Sequence, residues 1–165
     1  MSPNRTAILA VLVGLIAATL PATAEPAMRI AVADFDYLDT SGEPGDQTKA
    51  HEKRVQSFNA LLRETLAAEG AFALVTLECG KPSCGSGTLS PAELTSMAKA
   101  AGADFLVLGV IQKVSTLIGS GHVDVIDVAS GNVVLDRILS FRGDTDEAFE
   151  RAAKFTAAKI ADGVR

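Results

Sequence analysis

Five carboxylates crowd one short stretch of this chain: Asp34, Asp36, Asp39, Glu43 and Asp46. They follow directly on the apolar run Arg29-Ile-Ala-Val-Ala, at the end of a β-branched segment that reads as a strand. Carboxylates at the C-terminal edge of a strand lie where α/β folds place ligands. One chemistry they suit is hard-cation binding. Asp36, Asp39, Glu43 and Asp46 would supply oxygen donors from a loop turned tightly at Gly42 or Gly45, although the spacing is not that of an EF-hand. The plainer alternative is a solvated acidic loop, with Asp34 hydrogen-bonded near a helix end.

The other reactive side chains are few. Cys79 and Cys84, in Cys-Gly-Lys-Pro-Ser-Cys, are the only cysteines. An even pair in a Gly/Pro-rich loop is most simply a disulfide in an oxidising compartment, and the spacing is not the C-x-x-C of a redox motif. There are two histidines. His51 falls near a helix start and is expected to be exposed. His122 stands two residues before Asp124 on a strand, on the same face, where the pair could orient a ligand or titrate near neutral pH. Ser120, between Gly119 and Gly121, has no nearby base and reads as a turn. No glycine-rich phosphate loop occurs, and one Tyr with no Trp leaves no base-stacking platform.

These residues must be positioned by a single domain. Fifteen Lys+Arg against 20 Asp+Glu give a net charge of −5, which argues against nucleic acid and anionic membrane surfaces as partners. The first strand is Arg29 to Phe35, and Asp36 to Lys49 reads as a polar loop. From Ala50 to Glu69, Val55, Phe58, Leu62 and Leu66 recur at helical spacing, ending at Gly70. Ala71 to Leu77 is the second strand. Ser90-Pro91-Ala92-Glu93 is a capping box with Pro at the first helical position, opening a helix whose buried stripe is Leu94, Met97, Ala98 and Ala101.

Asp104 to Ser115 is a long strand, apolar or Gly from Phe105 to Ile111, and so is central and covered on both faces. Gly121 to Val128 and Val133 to Arg142 form a hairpin about Ala129-Ser130-Gly131-Asn132. A turn with two central residues sets Asp124 opposite Arg137. The last helix starts at Asp144 to Glu147 and buries Phe149, Ala152, Ala153, Thr156 and Ile160. The order is β-α-β-α-β-β-β-α, a mixed α/β or α+β fold with one mixed sheet and helices packed on it.

Several segments carry a resemblance: the opening RIAVADF, the helix end LL…L…GAF, AAGADFLVLG over 100–109, and VIDVASGNVV over 125–134. Together these resemble the periplasmic domain shared by the TolB N-terminal region, the CsgG curli-secretion protein and the LpoB activator of penicillin-binding proteins. The segment ADFDYLDTSGE is similar to that of a secreted bacterial family of unknown function. The resemblance implies a non-enzymatic envelope domain that docks to protein partners. It departs from CsgG and LpoB in lacking an anchoring cysteine, and from TolB in lacking a propeller. Separately, Asp34-Phe35-Asp36 resembles the Asp-x-Asp of haloacid-dehalogenase-type phosphatases. That would make Asp34 the nucleophile, Asp36 the general acid, Asp144 and Asp146 metal ligands, and Lys113 the phosphate-binding cation. Leu38 stands where that motif carries Thr or Val.

The N-terminus sets the compartment. Arg5, the uncharged run Ala7 to Leu20, the helix-breaking Pro21 and Ala22-Thr23-Ala24 form a secretory signal peptide, with cleavage expected between Ala24 and Glu25. The run is too short to span a bilayer core, which needs about 20 residues. The expectation is therefore a periplasmic domain over residues 25–165, with no catalytic residue, cofactor or metal and no stable membrane insertion after cleavage. Its partner would be an unidentified envelope protein, bound through an exposed strand edge or through Asp34, Asp36, Asp39, Glu43 and Asp46, and its oligomeric state is left open. The cation binder and the phosphatase are the alternatives.

Overall fold

The structure is a computed structural model, and it describes residues 27–80 and 83–164. The expected signal peptide and its cleavage point at Ala24 and Glu25 lie outside the described residues. The elements are β1 (Met28–Val32), β2 (Asp36–Asp39), α1 (Thr48–Ala68), β3 (Phe72–Val75), α2 (Pro91–Ala100), β4 (Phe105–Ser115), β5 (Ile118–Asp127), β6 (Val133–Arg142) and α3 (Asp146–Val164). The strands form one mixed sheet in the order β3-β1-β4-β5-β6, with β2 also paired to β4. The expected order of elements holds, with β2 added. No helix among the described residues is long and apolar enough to cross a membrane.

Strand β4 is the spine. Its first half pairs in parallel with β1, Ile30 to Val32 against Phe105 to Val107. Its second half pairs in parallel with β2, Asp36 to Asp39 against Val110 to Lys113. Ala33, Asp34 and Phe35 thus lie opposite only Leu108 and Gly109, one residue in excess. The ring of Phe35 fills the space over Gly109, where a Cβ would collide with it. The segment Asp36 to Asp39 is a strand and not the expected loop. Two aspartates in four residues mimic a turn, but the Tyr37 ring packs against the core and holds the segment extended on β4.

Two apolar clusters flank the sheet. On one face α1 and α3 bury Phe58, Leu62, Leu66, Phe149 and Ile160 against Ile30, Val107, Ile111 and Val125. The small residues Ala153, Ala157 and Ala161 of α3 are in this layer. On the other face α2 covers only the first half of β4. Leu94 and Ala98 pack on Ala31, Ala33, Leu106 and Leu108. The capping box that starts α2 is formed as expected: the Glu93 N–H donates to Ser90 Oγ at 3.3 Å, and the Ser90 N–H donates back to Glu93 at 2.8 Å.

The hairpin register differs from expectation. Asp127 N–H bonds Asn132 O, and the Gly131 N–H returns to Asp127 O with Gly131 at φ +73°. The connection is thus wider than two central residues. An irregularity at Val125/Ile126 shifts the pairing once more. Asp124 therefore faces Asp136, while Arg137 faces Val123 on the opposite side of the sheet.

The Phe35–Gly109 contact yields a test. Gly109→Ala is expected to lower stability by about 1–3 kcal/mol through overpacking, read as a lower urea midpoint with an unchanged denaturant slope. An unchanged midpoint would show that the ring has room to move.

Candidate functional site

A groove of about 610 Å³ lies between α1 and the segment from Asp34 to Tyr37, with the acidic loop as its lip. Phe35, Tyr37 and Val55 give it apolar wall, and Asp34, Asp39, Asp46, Glu52, Asn59 and Arg63 give it polar wall. Asn59 is buried because its Oδ1 accepts the Phe35 N–H at 3.1 Å, completing the backbone of the irregular Ala33–Phe35 step. Arg63, one helical turn later, donates to Val32 O at 2.9 Å and to Asp34 Oδ1 at 2.7 Å.

The structure places each of the five predicted carboxylates on a partner of its own. Asp34 binds Arg63, and its other oxygen accepts from the Cys84 N–H at 2.8 Å and the Ser83 hydroxyl at 3.3 Å. Burial pushes the Asp34 carboxyl up, but these bonds and the Arg63 charge outweigh it and hold it below the ordinary value. Asp36 accepts the Ser86 hydroxyl and the Gly87 N–H. A Cβ at either Gly85 or Gly87 would lie 2.8 Å from Asp36 Oδ1, so the approach requires glycine. Asp39 closes an Asx turn on Ser41, and Asp46 accepts the Thr48 N–H where α1 begins. Glu43 accepts from Lys113 Nζ at 2.8 Å. The five do not converge on one point, as a cation site or a paired-aspartate active site requires.

The loop after β3 joins this wall. Cys79 and Cys84 form a disulfide, with Cα atoms 5.7 Å apart. Asp34 and Asp36 stitch that loop to the strand, so the acidic and cysteine segments form one surface.

Beneath the acidic loop lies a polar cluster that the sequence does not reveal as a unit. Lys113, with only 3% of its side chain exposed, donates to Glu43, to Gln47 Oε1 at 3.1 Å and to Asp144 Oδ2 at 2.9 Å. Asp144 also binds His51 Nε2 at 3.0 Å and Arg54 at 2.9 Å. His51 is buried, contrary to expectation, because its ring stacks on Tyr37 with centroids 4.7 Å apart. Burial pushes Asp144 up, but hydrogen bonds from His51 and Lys113 and the His51 and Arg54 charges hold it below the ordinary value; burial pushes Lys113 down, but hydrogen bonds to Glu43 and Asp144 hold it above, so both stay charged. Burial and the nearby Asp39 and Asp144 charges push the Tyr37 hydroxyl up, so it stays protonated. Lys113 and Asp144, cast by the phosphatase analogy as phosphate and metal ligands, thus serve each other. Asp146 pairs with Arg54 at 2.9 Å.

His122 and Asp124 do share a face, as expected, but of the opposite side of the sheet. His122 Nε2 lies 2.8 Å from Asp136 and 3.6 Å from Asp124. The bond to Asp136 holds the imidazole above the usual histidine range, although burial opposes it.

The DUF3280 family model, described as "Protein of unknown function (DUF2380)", matches residues 28–160, and the chain belongs to that family. No curated protein matches the sequence. Among solved structures, TolB from Acinetobacter baumannii is 16% identical with a TM-score of 0.54, covering 85% of this chain and 29% of that one. The hypothetical protein CT253 from Chlamydia trachomatis is 15% identical with a TM-score of 0.54, covering 83% and 98%. PelC from Paraburkholderia phytofirmans, solved as a dodecamer, is 16% identical with a TM-score of 0.51, covering 83% and 86%. The shared property is the fold, which is TolB-like. The chain spans less than a third of the TolB chain it matches.

Two predictions follow from the Lys113 cluster. Lys113→Met removes the ammonium shared by Glu43 and Asp144 and is expected to destabilise by about 3–5 kcal/mol, measurable by urea unfolding. An effect below 1 kcal/mol would mean the ammonium is solvated instead. Asp34 and Asp144 are held below the ordinary 3.8. Each therefore adds stability that is full above that value and lost as pH falls through the lower folded value. Unfolding midpoints should drop below about pH 4, and Asp144→Asn should flatten that drop.

Proposed function

We propose that this member of the DUF3280 family is a non-enzymatic docking protein of the bacterial envelope, acting in the periplasm on a protein partner. The observation that carries the reading is the half of the sheet that α2 leaves bare. By strand alternation, Asp36 and Leu38 of β2, Val110 and Gln112 of β4, Ser120, His122 and Asp124 of β5, and Val134, Asp136 and Ile138 of β6 share that face. Leu38 is 51% exposed and Ile138 79%, with Val114 and Val134 also open to solvent. Exposed apolar groups gathered on one face with a polar rim are the mark of a protein contact. Strand β6, ten residues long, pairs only with β5 among the described strands, and its free edge suits strand addition.

The engagement of every predicted carboxylate by a partner within the fold supports a binding role over a hydrolytic one. It favours the bare sheet face over the acidic loop as the docking surface. The Cys79–Cys84 disulfide and the signal-like N-terminus support the periplasm. The TolB-like fold is compatible with all of this.

Photo-crosslinking residues placed at Val134 and Ile138 in the native host should capture one envelope protein. The same probe at Lys154, on the outer side of α3, should not. Ile138→Glu should reduce capture at Val134 at least tenfold with no change in melting temperature. Equal capture at all three positions, or none at any, would count against the bare face as the docking surface.

A further inference from the structure

We propose that His122, Asp124 and Asp136 form a binding site for a divalent transition cation of the zinc class on the bare face of the sheet. Among the described residues this is the one set of three or more His, Cys, Asp or Glu side chains whose ligand atoms all lie within 4.8 Å of one another. The inference stands apart from the docking reading and needs only the β5–β6 pairing.

The first argument is geometric. His122 Nε2 lies 2.8 Å from Asp136 Oδ1 and 3.6 Å from Asp124 Oδ1. Zinc bonds of about 2.0–2.2 Å in a tetrahedron set neighbouring donors about 3.4 Å apart. The two observed separations bracket that figure, and all three ligand atoms lie within 4.8 Å of one another. Three protein donors leave a fourth position for water or another ligand, as in open zinc sites. The imidazole nitrogen selects zinc, nickel or cobalt over calcium and magnesium, which prefer all-oxygen shells.

The second argument is electrostatic. Asp124 and Asp136 are directly opposite across the antiparallel pair. Like charges in that position destabilise a sheet. The irregularity at Val125/Ile126 creates this pairing, where an unshifted two-residue hairpin would have set Asp124 against Arg137. Their neighbours on the same face, Leu108, Val110, Ser120, Ile126, Val134 and Ile138, include no basic residue. Arg137 donates to the Asp136 main-chain carbonyl at 3.3 Å, not to its carboxylate. His122 is the ion-pair partner of both aspartates. The face thus presents two facing carboxylates whose one counter-charge among these neighbours, the His122 imidazole, carries at most a single positive charge. A bound dication would supply two.

The test uses the purified, tag-free chain. Calorimetric titration with Zn²⁺ should show one saturable site, and Co²⁺ should give a visible ligand-field absorption. Ca²⁺ and Mg²⁺ should bind at least tenfold more weakly. His122→Gln and Asp136→Asn should each weaken Zn²⁺ at least tenfold and abolish the Zn²⁺-induced rise in melting temperature. Without metal, Asp136→Asn should melt at or above the wild-type temperature, because it relieves the like-charge pair, whereas His122→Gln, which removes the imidazole paired with both aspartates, should melt slightly lower yet remain folded, since neither side chain is buried. Absence of saturable Zn²⁺ binding, unchanged affinity in His122→Gln, or equal affinity for Ca²⁺ would each overturn the proposal.

Discussion

One buried ammonium sets the shape of the groove end of this molecule. Lys113 stands buried near the C-terminal end of β4, and its three hydrogen bonds go to three different parts of the chain: Glu43 of the acidic loop, Gln47 at the start of α1, and Asp144 before α3. Taking that charge out of water is costly, and the cost is recovered only when every acceptor is in place. A hydrophobic residue there could give equal stability but would not specify where those three segments meet. The ion cluster therefore acts as a positional lock. It draws the loop over the sheet end and buries His51 against Tyr37.

The lock also makes the two faces of β4 unlike. Toward α1 and α3 the strand is closed along its whole length, first by Val107 and Ile111 and then by Lys113. Toward α2 it is closed only at Leu106 and Leu108. A ten-residue helix cannot cover an eleven-residue strand and its neighbours, because a helix advances about 1.5 Å per residue and a strand about 3.3 Å. The open half-face follows from that mismatch in length, and so does the solvent access of everything standing on β5 and β6 there.

Much of this was legible in the sequence. The Val55, Phe58, Leu62 and Leu66 stripe, the Ser90–Glu93 box, the limits of β6 and the buried face of α3 all follow from periodicity and capping, which are local. What was not legible depends on distant partners. Strand β2 is masked by its aspartates, since its extended form comes from β4 and from Tyr37. His51 reads as an exposed first-turn residue until Asp144, 93 positions away, is brought beside it. The Asp124–Arg137 pairing fails because register depends on a turn width and an irregularity that residue types do not encode. Lys113 reads as a cation, but its partners Glu43 and Gln47 lie in a segment that reads as solvated loop.

The acidic composition invites an electrostatic account of function, and the geometry argues for a different one. Asp34, Asp36, Asp39, Glu43 and Asp46 are dense in the sequence because they terminate hydrogen-bond donors of the fold: a guanidinium, main-chain amides, hydroxyls and a buried ammonium. A carboxylate so engaged has little left to offer a ligand. The two that do not stand out in the sequence, Asp124 and Asp136, twelve positions apart and brought face to face by the hairpin, share one imidazole between them. Density of charge along a chain reports what the backbone must satisfy. Pairing of like charges across a sheet, with one imidazole as their shared partner, marks where the proposed cation would sit.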